Sequence, residues 1–278
     1  MNLLHSFKHP LALLGLLLVG GWVLIALLAP WIAPHDPLES FTPLLTPMTV
    51  GDNGQSFLLG TDMIGRDILS RLIWGTRTVL FWSILATLTA FAVGIAMGLC
   101  AGYFNGWVDS VLSYVADTVL SFPVLVLYIV IIIALGASAL NILIAVTFTS
   151  APAIFRIMRA LTIDIRSRDY VLSAITQGEG SLRIMLVEIL PNCGGPLIVD
   201  FCLRIGYTAI MIGALGFLGL GLPPPTPDWG GMINDGRAMA IAFPHLVIFP
   251  CIAISTLMLG LSLLADGLDE HAQKGARS

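Results

Sequence analysis

Charged residues are missing from long stretches of this chain, and the gaps they leave have the length of membrane-crossing helices. No charge separates Lys8 from Asp36, and the Leu-, Val- and Ala-rich run over 11–32 matches the ~20 apolar residues that cross a bilayer core. It reads as an uncleaved first span, too long for the apolar core of a signal peptide. A second charge-free window lies between Arg77 and Asp109. A third, between Asp117 and Arg156, is long enough for almost two spans, with Gly136, Ala137, Ser138 and Asn141 as its turn. Charge-poor windows over 194–222 and 242–265 supply the fifth and sixth. The runs are continuously apolar rather than alternating, which predicts helices and not barrel strands. The expected fold class is an all-α integral membrane protein with six transmembrane helices.

The positive-inside rule sets the expected orientation. With both termini in the cytoplasm, the inner side collects Lys8, Arg156, Arg159, Arg166, Arg168, Arg183, Lys274 and Arg277, against Arg66, Arg71, Arg77 and Arg237 outside. Residues 166–188 are then cytoplasmic, and 36–71 and 223–237 are external.

Composition narrows the function classes. The chain is 57% hydrophobic and 11% charged, where a soluble domain carries about a quarter charged residues, so a water-soluble globular protein is excluded. A net charge of -4 without a basic run argues against nucleic acid as a partner. Cys100, Cys193, Cys202 and Cys251 lack C-x-x-C spacing and read as small hydrophobes. His5, His9, His35, His245 and His271 form no H-E-x-x-H pattern, and neither a G-x-S-x-G elbow nor a G-x-x-x-x-G-K-[ST] phosphate loop is present. No metal site, cofactor site or catalytic residue is expected, and any nucleotide that energises this protein is bound by another chain.

Two patterns point to packing and coupling. Gly94, Gly98 and Gly102 put three glycines on one face of the second span, where another helix can approach closely. Between spans four and five, residues 170–176 can form two helical turns with Tyr170, Val171 and Ala174 on one face; Gly178 and Gly180 stop that helix, Ser181 caps a second, and Pro191 opens span five. A short helix held there would pass a partner's push to both spans, although a plain connecting loop fits the same pattern.

That segment resembles the docking loop of ATP-binding-cassette importer permeases, in which a Glu-Ala-Ala triplet is followed by a glycine and then by Ile-x-Leu-Pro. Gly178 falls on the motif glycine, Ile189, Leu190, Pro191 and Asn192 on its end, and Leu172, Ser173 and Ala174 on the triplet. Leu172 stands where the family often has Glu, and Glu179 and Gly180 replace small residues. The stretch running Thr61, Asp62, Gly65, Arg66, Asp67, Ser70 and Arg71 is similar to the G-T-D-x-x-G-R-D-x-x-S-R signature of the dipeptide, oligopeptide and nickel permeases. Residues 216–230 are similar to the F-L-G-L-G signature of that group, and Asp266, Gly267, Leu268 and Asp269 to its D-G-L-R-D ending, without the Arg. With the segments around Trp31, Pro37 and Ala116 to Pro123, the match runs through nearly the whole chain, to the C-type member of the permease pair.

The residues of these segments also have a local reading. Thr61 or Asp62 is placed to cap a helix starting near Met63, with Asp67 and Arg71 as an i,i+4 pair; the external cluster of Thr61, Asp62, Gly65, Arg66 and Asp67 is either a capped surface helix or a face toward substrate or its carrier. Pro223 to Pro225 favour extended polyproline geometry, and Trp229 suits the membrane–water interface, so this loop is a gate element or an anchoring turn. Asp200 and Arg204 stand i,i+4 within span five and, like Asp117, either line the path or neutralise a partner. Candidate path or gate residues are thus Asp117, Asp200, Arg204, Pro224 and Trp229, and candidate ATPase-docking residues are Tyr170, Leu172, Ser173, Ala174, Gly178, Glu179, Ile189 and Pro191.

Three regions are expected: 1–33, a cytoplasmic tail with the first span; 34–75, an external loop; and 76–278, a five-helix core carrying the docking loop at 166–192. The resemblance implies the type I importer permease fold in a bacterial cytoplasmic (inner) membrane. It implies a second related permease, two ATPase subunits that bind ATP and Mg, and an extracytoplasmic substrate-binding protein as partners beside the lipid bilayer. The chain would then carry peptides, or a related solute such as nickel or its chelate, without being an enzyme itself. A self-contained secondary transporter or channel is the alternative, and no internal repeat of the kind such carriers show is found.

Overall fold

The computed structural model describes residues 10–52 and 54–277, with side chains through residue 268. Lys8, Asp269, Lys274 and Arg277, which entered the orientation and ending arguments, lie outside the residues whose side chains are described. The order is α1 (Pro10–Ile32), a two-stranded hairpin of β1 (Thr49–Val50) and β2 (Ser56–Phe57), α2 (Ile68–Phe104), α3 (Gly106–Leu120), α4 (Val124–Leu135), α5 (Ala139–Arg166), α6 (Asp169–Thr176), α7 (Ser181–Phe217), α8 (Trp229–Gly236) and α9 (His245–Arg277).

Five helices, α1, α2, α5, α7 and α9, are long and apolar enough to cross a membrane. The second begins before the charge-free window that announced it, because its 37 residues extend about 55 Å at 1.5 Å per residue. Some 25 Å of helix thus lies beyond a hydrocarbon core of about 30 Å, which gives Arg71 and Arg77 a place on the helix outside the lipid. The third span is not one continuous helix. Its apolar half, α4, has 12 residues, only about 18 Å of helix, and meets α3 at 90°.

The glycine face of α2 shows that these two pieces make one crossing. A Cβ added at Gly98 would lie 2.5 Å from Met158 Cβ, at Gly94 2.7 Å from Ile154 Cβ, and at Gly102 2.6 Å from Thr162 Cβ. The contacts advance along both helices together, so α2 and α5 run parallel in close contact, as the spacing predicts. A chain joining two parallel spans must return once between them, and α3 with α4 is that return, giving six crossings. The turn that follows falls where expected: Gly136 ends α4 with φ 89° and Ser138 caps α5 by accepting from Asn141 N at 3.2 Å.

Ion pairs hold α3 to α5. Asp109 accepts from Arg159 Nη2 at 2.6 Å and is also bonded to its Nε, and Asp117 accepts from Arg156 Nη2 at 2.6 Å. At the same end of the bundle, α6 and the first turns of α7 close an apolar cluster of Phe91, Tyr103, Ile154, Met158, Ile165, Val171, Ala174, Ile184 and Ile189.

Candidate functional site

The docking segment is built on a helix with one buried and one open face. Two residues, Ser167 and Arg168, separate α5 from α6, and Val171 and Ala174 are buried in the apolar cluster. Tyr170 was expected beside them but is 40% exposed, and Leu172 is 46% exposed. Ser173 and Thr176 also face outward. At the C-terminus, Glu179 N donates to Ala174 O (3.2 Å) and Gly178 N to Ile175 O (3.0 Å) around Gly178 at φ 79°. This is a Schellman closure, and it needs the left-handed residue that Gly supplies.

The residues beyond differ from the sequence expectation. Gly180, not Ser181, occupies the cap position of α7, and no side chain caps it. Pro191 does not open the span: α7 runs through it, widening to a π-turn over Ile184–Ile189 and tightening to a 3₁₀ turn over Leu190–Cys193. The looser and tighter turns absorb the amide that Pro191 lacks and the clash of its ring. Of the docking candidates, Ala174 and Ile189 point inward, Pro191 is exposed, and Glu179 lies 3.6 Å from Arg183.

At the opposite end, residues 33–67 fold over the start of α2. Neither Thr61 nor Asp62 caps a helix there. The cap of α2 is Asp67, which accepts from Ser70 N at 2.9 Å and Ser70 Oγ at 2.6 Å, with His35 Nδ1 3.5 Å away. Thr61 is buried, donating to Thr42 O (2.7 Å) and accepting from Leu45 N (2.9 Å). Asp62 closes a tight turn by accepting from the backbone amides of Ile64 (3.0 Å) and Arg66 (2.9 Å). Within that turn Gly65 N donates to Asp62 O at 3.0 Å.

The acid of this turn then pairs twice. Asp62 binds Arg66 Nε at 2.7 Å and Arg71 Nη1, so Arg71 is bound to Asp62 and not to Asp67 as its spacing suggested. Arg66 reaches on to Asp235 of α8 at 3.3 Å. Two acids and two arginines thus balance in a network that ties the loop to α2 and α8. Asp235 carried no sequence signal for this role, because its partners lie far away along the chain.

The 216–230 signature seats α8. Gly219, at φ 77°, closes α7 in the same manner as Gly178 closes α6: Leu220 N donates to Leu215 O at 2.8 Å and Gly219 N to Gly216 O at 3.0 Å. Pro224 and Pro225 lie in a turn rather than an extended run. Asp228 caps α8 by accepting from Gly231 N at 2.8 Å. Its carboxyl is buried, and desolvation pushes its pKa up to about 6 even though the amides of Gly231 and Gly230 bond to it. Trp229 is fully buried, so it is not an interface anchor. It donates to Leu72 O at 3.0 Å and meets Trp22 edge-on at 5.1 Å.

Between these two ends, Arg204 Nε donates to Asp200 at 2.7 Å, the i,i+4 pair expected on α7. Arg204 also lines a cavity of about 230 Å³ beside the bend between α3 and α4, with Tyr128, Thr149, Ser150, Tyr207 and Thr208 among its neighbours. Tyr207 and Thr208 follow Arg204 at i+3 and i+4, a polar stripe visible in the sequence; Tyr128, Thr149 and Ser150 come from other helices and had no such signal. Asp117, 61% exposed in its pair with Arg156, lies outside this cavity lining. Among the described residues no group of His, Cys, Asp and Glu is arranged to hold a metal ion.

Comparison with known proteins gives this architecture its family. Residues 94–278 match the family described as binding-protein-dependent transport system inner membrane component, and 6–49 match the N-terminal TM domain of oligopeptide transport permease C. The chain is 41% identical over 259 residues to the dipeptide transport system permease protein DppC of Haemophilus influenzae, covering 92% of this chain and 88% of the relative. It is 41% identical over 267 residues to the di/tripeptide transport system permease protein DppC of Pseudomonas aeruginosa, covering 95% and 88%. Identity to the glutathione transport system permease protein GsiD of Pectobacterium atrosepticum is 35% over 246 residues, covering 88% and 81%. Among solved structures, an amino acid ABC transporter chain superposes with a TM-score of 0.53 at 16% identity, over 72% of this chain and 94% of that one, which supports the same fold. The chain therefore belongs to the inner membrane components of binding-protein-dependent transport systems, with the N-terminal region of the C-type oligopeptide permeases.

Proposed function

We propose that this chain is one permease subunit of an ATP-binding-cassette importer for short peptides. It pairs with a second, related permease, engages one of two ATPase subunits through α6, and receives its cargo from an extracytoplasmic binding protein. Both termini and α6 face the cytoplasm across the inner membrane, and ATP with Mg is bound by the partner ATPases. The peptide class comes from the relatives, whose names specify dipeptides, di- and tripeptides, and glutathione.

The observation that carries this reading is the two-faced α6. Val171 and Ala174 fix its inner face to the cluster that also holds Ile165, Ile184 and Ile189, while Leu172 and Ser173 stay open to a partner. A force on the open face is passed to α5 and α7 through short links on either side. Movement of two spans about the bend of the third is the kind of rigid-body change by which a path opens to one side and then the other.

Purification with the neighbouring transport genes, followed by reconstitution into proteoliposomes, tests the reading. Uptake of a labelled dipeptide should require ATP inside and the binding protein outside. Uptake by this chain without any ATPase, driven by an ion gradient, would replace the reading with that of a secondary transporter.

A further inference from the structure

The cavity beside the bend of the third span carries chemistry that its packing does not require. It is lined by Leu120 and Val124 on either side of the bend, by Thr149 and Ser150 of α5 and by Tyr207 of α7. Arg204 is the one charged residue of this lining. A charge inside a span is expensive and is kept where it has a partner or a task. Asp200 partners only one edge of the guanidinium: it accepts from Nε, and among the described residues the terminal nitrogens Nη1 and Nη2 donate to nothing. The side chain is 19% exposed. One fork of a planar five-donor group is thus left open in a pocket bounded by hydroxyls, where carboxylates are bound through two parallel hydrogen bonds. At about 230 Å³ the cavity is smaller than the roughly 300–1,000 Å³ of pockets that enclose whole drug-sized ligands, so it suits one end of a short peptide.

We propose that the cavity at Arg204 binds the terminal carboxylate of a peptide in transit, with Asp200 holding the guanidinium in place and the hydroxyls of Ser150 and Tyr207 completing the pocket. This rests on the reading of the chain as a peptide permease. It adds that the permease itself, and not the binding protein alone, selects for a free C-terminus. Removing Arg204 alone would leave Asp200 unpaired in low dielectric and destabilise the protein, so the informative variant removes both charges.

The test uses the whole complex of permeases and ATPases in nanodiscs, without the binding protein. The probes are tritiated glycyl-leucine and tritiated glycyl-leucinamide, its C-terminal amide, followed by equilibrium binding. The wild-type complex should bind the free acid about ten-fold more tightly than the amide, the loss expected of a paired carboxylate. The Asp200→Asn, Arg204→Gln double variant should assemble and bind both probes equally weakly. The proposal is overturned if the wild type binds the two probes alike or binds neither, or if the double variant keeps the preference. ATP-driven uptake of glycyl-leucine by the wild-type complex with its binding protein is measured in parallel; its absence would remove the peptide reading itself, and its presence without discrimination at Arg204 would remove only this site.

Discussion

Trp229 donates its indole N–H to the carbonyl oxygen of Leu72 at 3.0 Å, and Gly75 leaves the space its ring occupies. A Cβ at Gly75 would lie 2.8 Å from Trp229 Cδ1. Gly75→Val should therefore force the indole out and loosen α8 from α2, at about 1–3 kcal/mol for an overpacked site. Thermal unfolding of the purified protein should show a lowered midpoint together with a shift in Trp fluorescence. An unchanged midpoint would mean that the seat is adaptable.

The contact between α2 and α5 makes a sharper comparison. Gly98→Leu inserts a side chain where a Cβ alone already lies 2.5 Å from Met158 Cβ, whereas Gly20 on α1 has open space around it. Gly98→Leu should sharply reduce the fraction of monodisperse protein extracted from membranes, and Gly20→Leu should not. Equal yields would show that the parallel pair does not need its close approach.

What the sequence makes legible is what local rules govern. The apolar windows, the glycine face of α2, the turn at Gly136 and Ser138, and the left-handed Gly178 follow from spacing and backbone conformation alone. The pairing of Arg71 does not: i,i+4 spacing points to Asp67, but Asp67 is spent on the backbone amide and the hydroxyl of Ser70, while a turn brings Asp62 within reach. Trp229 has the look of an interface residue until the fold places Leu72 and Trp22 against it. Pro191 suggests a helix start because the π-turn before it, which makes a proline tolerable inside a helix, leaves no mark in composition. Of the residues at the Arg204 cavity, the sequence singles out Arg204 with its partner Asp200; Tyr207 and Thr208 follow at i+3 and i+4 without having been singled out, and Tyr128, Thr149 and Ser150 join only through packing between helices.

Asp228 should make stability depend on pH. Its carboxyl, pushed up to about 6 by burial from a usual value of 3.8, holds its proton more tightly folded than unfolded. The contribution to stability is fully present below pH about 4, is lost as pH rises toward 6, and is flat above that; its size is about 1–3 kcal/mol. Asp228→Asn keeps a side chain that can cap α8 and should remove this slope. The difference in unfolding midpoint between wild type and variant, followed from pH 4 to 8 in nanodiscs, should therefore favour the variant increasingly up to pH 6. A constant difference would assign the pH response elsewhere.

Gly178 is constrained by conformation rather than by space, since φ is 79° and nothing lies within 4 Å of an added Cβ. Gly178→Asn, which tolerates the left-handed region, should keep near wild-type uptake, whereas Gly178→Val should lose most of it at a local strain cost of about 1–2 kcal/mol. Both variants should insert and pair with the second permease. Equal uptake by the two would show that the Schellman closure does not set the position of α6.

In the proposed function the ATPases act through the open face of α6. The most direct measurement is the amount of ATPase subunit that co-purifies with the permease pair when Leu172, exposed on that face, is changed to Arg. Leu172 lies outside the buried cluster that holds α6, so insertion and permease pairing should be unchanged, while ATPase recovery falls at least several-fold and peptide uptake falls with it. Wild-type recovery of the ATPases together with wild-type uptake in Leu172→Arg would contradict the account.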